Sequence, residues 1–403
     1  MDKPTPRIEI DSLKIAHNAK TLAAFYGSKG ISITGVTKGV CGHPAIASLL
    51  LESGINTLAD SKIANIRRMR DAGITARFIL LRTPAPSQIE EVVRYADISL
   101  NTELSVIEAL SECARKSGGQ HRIILMVDLG DLREGILPQD LDDVVSKVIR
   151  YDGVSLAGLG ANLACFGGVK PDEDKMRTLS CLVERVEKRF GFSLEIVSGG
   201  NSANYSWFAA AKDVGRINNL RVGESLFLGR ETLFRNPIPG LYTDAFTLVA
   251  EVIESKIKPS LPDGEPCQNS SAHIPSFKDR GMIQRILLNI GYQDVHVSGL
   301  SPRIEMNMNN HNRNRLSRRN PAPGGTDSDV SRRSPAPGGT KADNHSLTPD
   351  CMDVEILGAT SDHVILDAKG GDLRPGDEVV FDLSYKALSL AMASPYVEKI
   401  FVS

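Results

Sequence analysis

The residue with the clearest chemistry is Lys38, in the run ISITGVTKGVCGHP at 31–44. Ile31, Ile33, Val36 and Thr37 give way there to two glycines and a proline. A β-rich run closed in that way reads as a buried strand ending in a sharp loop, with the lysine at the strand's C-terminal end. An unpaired ammonium buried at a strand end is costly, so such a lysine sheds its proton and offers a free amine. A free amine attacks aldehydes, which is Schiff-base chemistry. The competing reading is a lysine snorkelling at a strand edge.

A second set of residues suits phosphate. Ser198-Gly199-Gly200-Asn201-Ser202 and Leu220-Arg221-Val222-Gly223-Glu224 each combine glycine with polar side chains. Glycines let the backbone approach an anion, Ser202 offers a hydroxyl, and loop N–H groups complete a cradle. Between these sets lie Asp128-Leu129-Gly130-Asp131-Leu132-Arg133-Glu134-Gly135 and Asn162.

The elements that must position these residues alternate. Strand-like runs at 31–38, 57–61, 77–82, 98–101, 122–130, 154–163, 195–198 and 218–223 are separated by helix-length stretches. Helix-start signals mark several of these, such as Ser87 ahead of Glu90 and Asn101-Thr102 ahead of Glu103. Eight strands with intervening helices predict an α/β fold, a parallel (β/α)8 TIM-type barrel, with a doubly wound open sheet as the alternative. The reactive residues of such a barrel gather at strand C-termini, and its phosphate sites follow strands seven and eight. Each motif above falls at such an end. A lysine on one side and a phosphate cradle on the other suit a ligand with both aldehyde and phosphate, and pyridoxal 5'-phosphate is that ligand.

Past Gly229 the pattern becomes β-rich, with strand-like runs at 246–257, 285–290, 354–357, 363–367 and 378–382. The domain expectation is a barrel over 14–230 and a smaller β-rich domain over 231–403 that also takes strand 7–13. Within it, 302–350 collapses into Asn, Arg, Ser, Pro and Gly, and SRRNPAPGGT returns as SRRSPAPGGT. That composition predicts a disordered low-complexity insertion.

Composition narrows the function classes. The 403 residues carry a formal net charge of -2, which gives no reason to expect nucleic acid or an anionic membrane as partner. No apolar run approaches a membrane span, and MDKPTPRIEI lacks the apolar core of a signal peptide. The six cysteines show no Cys-x-x-Cys and no cluster with histidine, so reduced thiols, no metal site and a soluble cytoplasmic protein are expected.

These motifs resemble the alanine racemase-like, fold-type III enzymes that use pyridoxal phosphate. The resemblance covers the barrel and continues into the second domain, outside the insertion. Val36-Thr37-Lys38-Gly39 with Gly42-His43 is similar to the family's lysine motif, which implies that Lys38 holds the cofactor. Asp128-x-Gly130-x-x-Arg133-x-Gly135 is similar to the motif whose arginine contacts the cofactor's phenolic oxygen and an opposing tyrosine. Asn201-Ser202-Ala203 resembles the phosphate-binding serine motif. Arg221-x-Gly223 resembles the arginine on the pyridine nitrogen, with the N–H groups of Gly223 and Glu224 on the phosphate. Gly291-Tyr292-x-Asp294 resembles the motif of the second catalytic base, a tyrosine that reaches a partner subunit's barrel.

The resemblance therefore implies a homodimer with shared sites that racemises a small amino acid by two-base proton abstraction. Lys38, Tyr292 and Arg133 would be catalytic, and Lys38, Asn162, Ser202, Arg221, Gly223 and Glu224 would bind the cofactor. Two departures point away from alanine as substrate. Cys41 and Gly42 occupy the region of the family's phosphate-binding tyrosine, and Asn162 replaces the ring-stacking histidine. Across MVDLGDLREG, IVSGGNS and NLRVGES the chain looks most like the branch of the family acting on ornithine. For an ornithine side chain, Asp131, Glu134, Asp60 and Asp294 are the candidate acceptors of the distal ammonium. Two alternatives share the barrel: a D-threonine aldolase or D-serine dehydratase-like lyase, and a non-catalytic homeostasis protein that binds the same cofactor. Ser361-Asp362-His363 resembles part of the lyases' metal-bearing C-terminal domain, but Phe381-Asp382-Leu383-Ser384-Tyr385 stands where their later His-x-Cys or His-x-Asp metal pair would lie, which leaves His363 without a second ligand.

Overall fold

The computed structural model describes residues 4–265, 267–268, 274–303 and 354–402. The expected insertion at 302–350 lies outside the described residues from 304 on. The chain divides into two compact units.

The larger unit holds a closed barrel of eight parallel strands in sequence order. After β1 (Arg7–Asp11) these are β2 (Ser32–Val36), β3 (Thr57–Asp60), β4 (Arg77–Leu80), β5 (Ile98–Asn101), β6 (His121–Val127), β7 (Val154–Ala161), β8 (Ile196–Asn201) and β9 (Asn219–Val222). Val36, Ala59, Ile79, Ile98, Leu100, Ile124, Met126, Ala157 and Ile196 form one apolar cluster. The barrel interior is thus a largely apolar packed core, with a few polar side chains such as Thr34 and Ser198 buried within it. The doubly wound alternative is excluded, because β9 pairs back onto β2 with Thr34 opposite Arg221.

The connecting helices are α1 (Ser12–Gly27), α2 (Pro44–Glu52), α3 (Ile63–Asp71), α4 (Ile89–Tyr95), α5 (Leu104–Lys116), α6 (Leu141–Val148), α7 (Glu173–Phe190), α8 (Tyr205–Ala210) and α9 (Glu224–Leu228). Capping fixes their starts and stops. Asp11 accepts from the Lys14 N–H at 3.0 Å, Asp172 accepts from Lys175 N–H at 2.8 Å, and α7 ends on Gly191 at φ 75°.

The smaller unit takes in Val249–Gln293 and Ser301–Phe381. Its antiparallel sheet contains β10 (Phe246–Pro259), β11 (Met282–Leu288), β13 (Glu355–Ala359) and β14 (Val364–Asp367), after β12 (Leu300–Arg303) in chain order. β11 lies between β10 and β14, and β13 follows β14 at the edge.

The unit boundaries differ from 14–230 and 231–403. The barrel unit runs over Arg7–Leu248 and recovers Asp294–Leu300 and Asp382–Ser403. β1, expected to join the β-rich strands, does pair with β10 and, in parallel, with β16 (Glu398–Val402), which follows β15 (Glu378–Leu383) and α10 (Tyr385–Ala393). The register sets Ile8 beside Lys399 and Ile10 beside Phe401, and both isoleucines are fully buried. Among the described residues no helix is long and apolar enough to cross a membrane.

Candidate active site

A cavity of about 550 Å³ opens at the C-terminal ends of the barrel strands. That size suits a small organic ligand. Five of its lining residues are cations, Lys38, Arg82, Arg133, Arg221 and Arg235, against two acids, Glu134 and Glu224. Such a lining favours an anion.

β2 stops at Val36, and Lys38 opens a single 3-10 turn at the mouth. Thr37 anchors the turn, since its N–H donates to Ala59 O at 2.8 Å and its hydroxyl to Asp60 at 2.8 Å. Lys38 itself is exposed, which corrects the burial expected from the sequence. The strand ends two residues earlier than the apolar run suggested, so the turn carries the ammonium out to the cavity. Gly42 is required where it stands: at φ 58° its added Cβ would meet Asn65 Cβ at 2.8 Å.

β8 and β9 build the opposite side. Gly200 sits at φ 148°, and a Cβ there would come within 2.1 Å of Asn204 Oδ1. That freedom permits a capped turn in which Asn201 Oδ1 accepts from the Ala203 N–H at 2.7 Å and Asn204 Oδ1 accepts from the Asn201 N–H at 3.0 Å. The turn presents Ser202, whose oxygen faces the N–H groups of Gly223 at 3.4 Å and Ser225 at 3.3 Å. One hydroxyl and the backbone entering α9 thus meet at this side of the cavity. Glu224 lines the cavity beside it and pairs with Arg235 at 3.2 Å. Burial pushes the Glu224 carboxyl upward, while Arg235 and Lys38 pull it down.

Arg221 projects from β9 and is only 5% exposed. Its Nη2 donates to Ala161 O at 2.8 Å and to Asn162 Oδ1 at 3.3 Å, and its Nη1 donates to the Ser198 hydroxyl. The oxygens it meets are all neutral, and burial lowers its pKa to about 10. It stays protonated at neutral pH. Asn162 lies just past β7 and joins this network through Asn201 Nδ2 at 2.9 Å.

The β6–α6 loop carries Arg133. Asp128 Oδ1 caps the loop by accepting from the Gly130 N–H at 2.7 Å. A Cβ on Gly135 would strike Asp128 N at 2.4 Å. Arg133 lines the cavity and forms an ion pair with its neighbour Glu134. Asp131 is 2% exposed and collects the N–H groups of Cys165, Phe166 and Val169, Phe166 at 2.9 Å. Asp60 is likewise engaged, by Thr37, by Asn65 Nδ2 at 3.0 Å and by the Lys62 N–H at 2.9 Å. Asp294 accepts from the Ser394 hydroxyl at 2.6 Å. Of the four candidate acids, Glu134 alone lines the cavity.

Tyr292 belongs to the smaller unit, is 48% exposed and is not among the residues lining the cavity. The tyrosine that does line it is one the sequence reading passed over. Tyr385 is the first residue of α10, capped by Ser384, and a Cβ on Gly39 would meet its Cε2 at 2.7 Å. Burial pushes its phenol well above the usual range, and Glu224 and Asp60 add to the effect. Tyr385 is therefore a hydrogen-bond donor, not a base, near neutral pH. The signal available for it was Ser384 ahead of an apolar run, an ordinary helix start.

The cavity fits the ligand expected from the sequence. It has an amine at the mouth, a hydroxyl and backbone cradle, and a buried arginine whose partners are all neutral. Comparison with known proteins agrees. The alanine racemase N-terminal domain model matches residues 10–231. An ornithine racemase of Acetoanaerobium sticklandii is 33% identical over 98% of this chain and 99% of its own length. A lysine racemase of Thermotoga maritima is also 33% identical, over 98% of both chains. Among solved structures, an alanine racemase from Streptomyces lavendulae superposes with a TM-score of 0.66 at 17% identity, covering 100% of this chain and 98% of the other. A D-threonine aldolase from Filomicrobium marinum gives 0.66 at 15%, covering 96% and 88%. At these identities the two structures speak for the fold alone.

Proposed function

The chain belongs to the alanine racemase family, and from that premise we propose that it interconverts L- and D-ornithine with pyridoxal 5'-phosphate as cofactor. The observation that carries this reading is the grouping of Lys38, Ser202 and Arg221 around one cationic cavity. Bound pyridoxal phosphate supplies an electron-withdrawing ring that acidifies the α-hydrogen of an attached amino acid.

The chain's own residues do the rest. Lys38 Nζ would hold the cofactor's aldehyde carbon, and the same amine would move a proton at one face of the substrate's α-carbon. Ser202 with the N–H groups of Gly223 and Glu224 would hold the phosphate, and Asn162 lies beside Arg221. Arg221 would donate to the ring nitrogen and, because a guanidinium keeps its proton, would leave that nitrogen an acceptor. A weaker electron sink follows, which disfavours transamination.

Racemisation needs a second base on the other face. Tyr385 is unsuited, because burial holds its phenol protonated. The partner subunit's Tyr292 takes that role in a homodimer, with Arg133 as the cavity's cation on that side. Exposed apolar side chains in the barrel-mouth loops support such a dimer: Leu132 at 70%, Phe166 at 75% and Phe234 at 76%. A diamino acid is favoured because the two near-full-length relatives above are named for ornithine and lysine. The Arg133–Glu134 couple also offers a cation for the carboxylate and an acid for the distal ammonium. A cytoplasmic location is proposed on five cysteines that are unpaired among the described residues.

Borohydride reduction of the yellow protein followed by peptide mass spectrometry tests the cofactor site, with the label expected on Lys38. Chiral chromatography tests the substrate, with D-ornithine appearing from L-ornithine faster than D-alanine from L-alanine. Restored activity on mixing inactive Lys38→Ala and Tyr292→Phe proteins tests the shared site. A label elsewhere than Lys38, or no turnover of any diamino acid, overturns the proposal.

A further inference from the structure

A guanidinium offers five N–H donors and no acceptor, so every neighbour that hydrogen-bonds Arg221 must accept. The Ser198 oxygen accepts from Nη1, which leaves the hydroxyl's one proton for Asn219 Oδ1 at 2.7 Å. Asn219 is then locked in one amide orientation, and its Nδ2 donates to Thr34 Oγ1 at 2.9 Å. Ser198 and Thr34 are fully buried, and Asn219 is nearly so. The arrangement follows from the barrel register: Ser198 of β8 sits beside Asn219 of β9, and Asn219 and Arg221 share one face of the strand. The result is a one-way chain of neutral hydrogen bonds leading from the cavity floor into the barrel.

We infer that Ser198 and Asn219 are positioning residues for Arg221, fixing the plane of its guanidinium without neutralising its charge. An acid at either position would also hold the arginine, but would cancel the field it presents to the ligand. The neutral relay holds orientation and charge together. The inference rests on the reading that Arg221 faces the cofactor's ring nitrogen.

The test compares Ser198→Ala, Ser198→Thr and Asn219→Asp with an Arg221→Lys control. Each apoprotein is titrated with pyridoxal phosphate to give Kd, and the absorption spectrum of the bound cofactor is recorded. Ser198→Ala is expected to raise Kd about tenfold, equivalent to about 1.4 kcal/mol, and to shift the spectrum. Ser198→Thr, which keeps the hydroxyl, restores both. Asn219→Asp keeps the acceptor for Ser198 but adds a negative charge, and is expected to shift the spectrum with the protein still folded. If Arg221→Lys leaves Kd and spectrum unchanged, the reading of Arg221 fails. If Arg221→Lys changes both while Ser198→Ala matches the parent, the relay fails. Should Ser198→Ala not fold, an unshifted spectrum in Asn219→Asp overturns the inference.

Discussion

Gly39→Ala tests how the lysine turn and the last helix are fitted together. The added methyl would lie 2.7 Å from Tyr385 Cε2, 3.0 Å from Cζ and 3.0 Å from the hydroxyl oxygen. Carbon atoms rest at about 3.5–4.0 Å, so ring and turn must part by about 1 Å. Overpacking of this kind costs about 1–3 kcal/mol. Through the cofactor equilibrium that range is a roughly 5- to 150-fold weaker Kd. Two assays read it: titration of the apoprotein with pyridoxal phosphate, and the urea midpoint. Second-site variants locate the strain. Tyr385→Phe in the Gly39→Ala background keeps the colliding ring carbons and gives no relief, whereas Tyr385→Leu removes them and recovers stability beyond additivity. A Gly39→Ala protein that binds cofactor and unfolds like its parent would refute the packing of Tyr385 on the turn.

Three further outcomes are expected. His121 is buried against the Ser99 hydroxyl at 2.8 Å, and desolvation lowers its pKa from 6.5 to about 4. The unfolded chain takes up that proton first, so stability is full above about pH 6.5 and falls by about 3 kcal/mol as pH drops toward 4. Urea titrations across this range should show the loss, and His121→Gln should flatten it. Asp131→Asn removes a carboxylate that serves three backbone N–H groups, and faster amide exchange at Cys165 and Phe166 is expected, with about 1–3 kcal/mol of local protection lost. Glu134→Gln should raise KM for ornithine about tenfold, since a hydrogen bond to a charged group contributes about 1.5–3 kcal/mol, and leave KM for alanine near the parent value. An equal rise for both substrates would assign Glu134 to Arg133 instead.

The barrel was legible because its strands are short runs of buried Val, Ile and Leu, each closed by glycine or a polar residue. Ser202 and Arg221 were legible for the same reason, since their chemistry sits beside a turn that only glycine can make, as at Gly200. What stayed hidden depends on distant pairing. The parallel partner of β1 cannot be read until β16 is set beside it, and Tyr385 reads as a helix start until α10 is packed on the Lys38 turn. The exposure of Lys38 was misjudged for a local reason: Thr37 and Lys38 look like strand residues, but the turn begins at Lys38. The acids could not be sorted from their spacing either. Asp131 is spent on N–H groups from the β7–α7 loop, a partnership that no window around Asp131 reveals.

Arg216 and Arg221 show within one short stretch how a fold sets an arginine's task. Arg216 pairs through both terminal nitrogens with Glu187 of α7, at 2.6 and 2.8 Å, and the carboxylate raises its pKa. Its charge is balanced where it arises, and the pair ties the β8–β9 connection to the helix. Arg221 is held by more contacts, yet all go to neutral oxygens, and burial without a counter-ion lowers its pKa. A buried cation left uncompensated destabilises a protein on its own. Its retention at the floor of a cavity with few acids therefore argues for a ligand that supplies an electron-rich atom there. Removing the carboxylate partner should affect only Arg216: Glu187→Gln is expected to lower the melting temperature while the Kd for pyridoxal phosphate stays at the parent value, and a matching change in Kd would show that the two arginines are not independent.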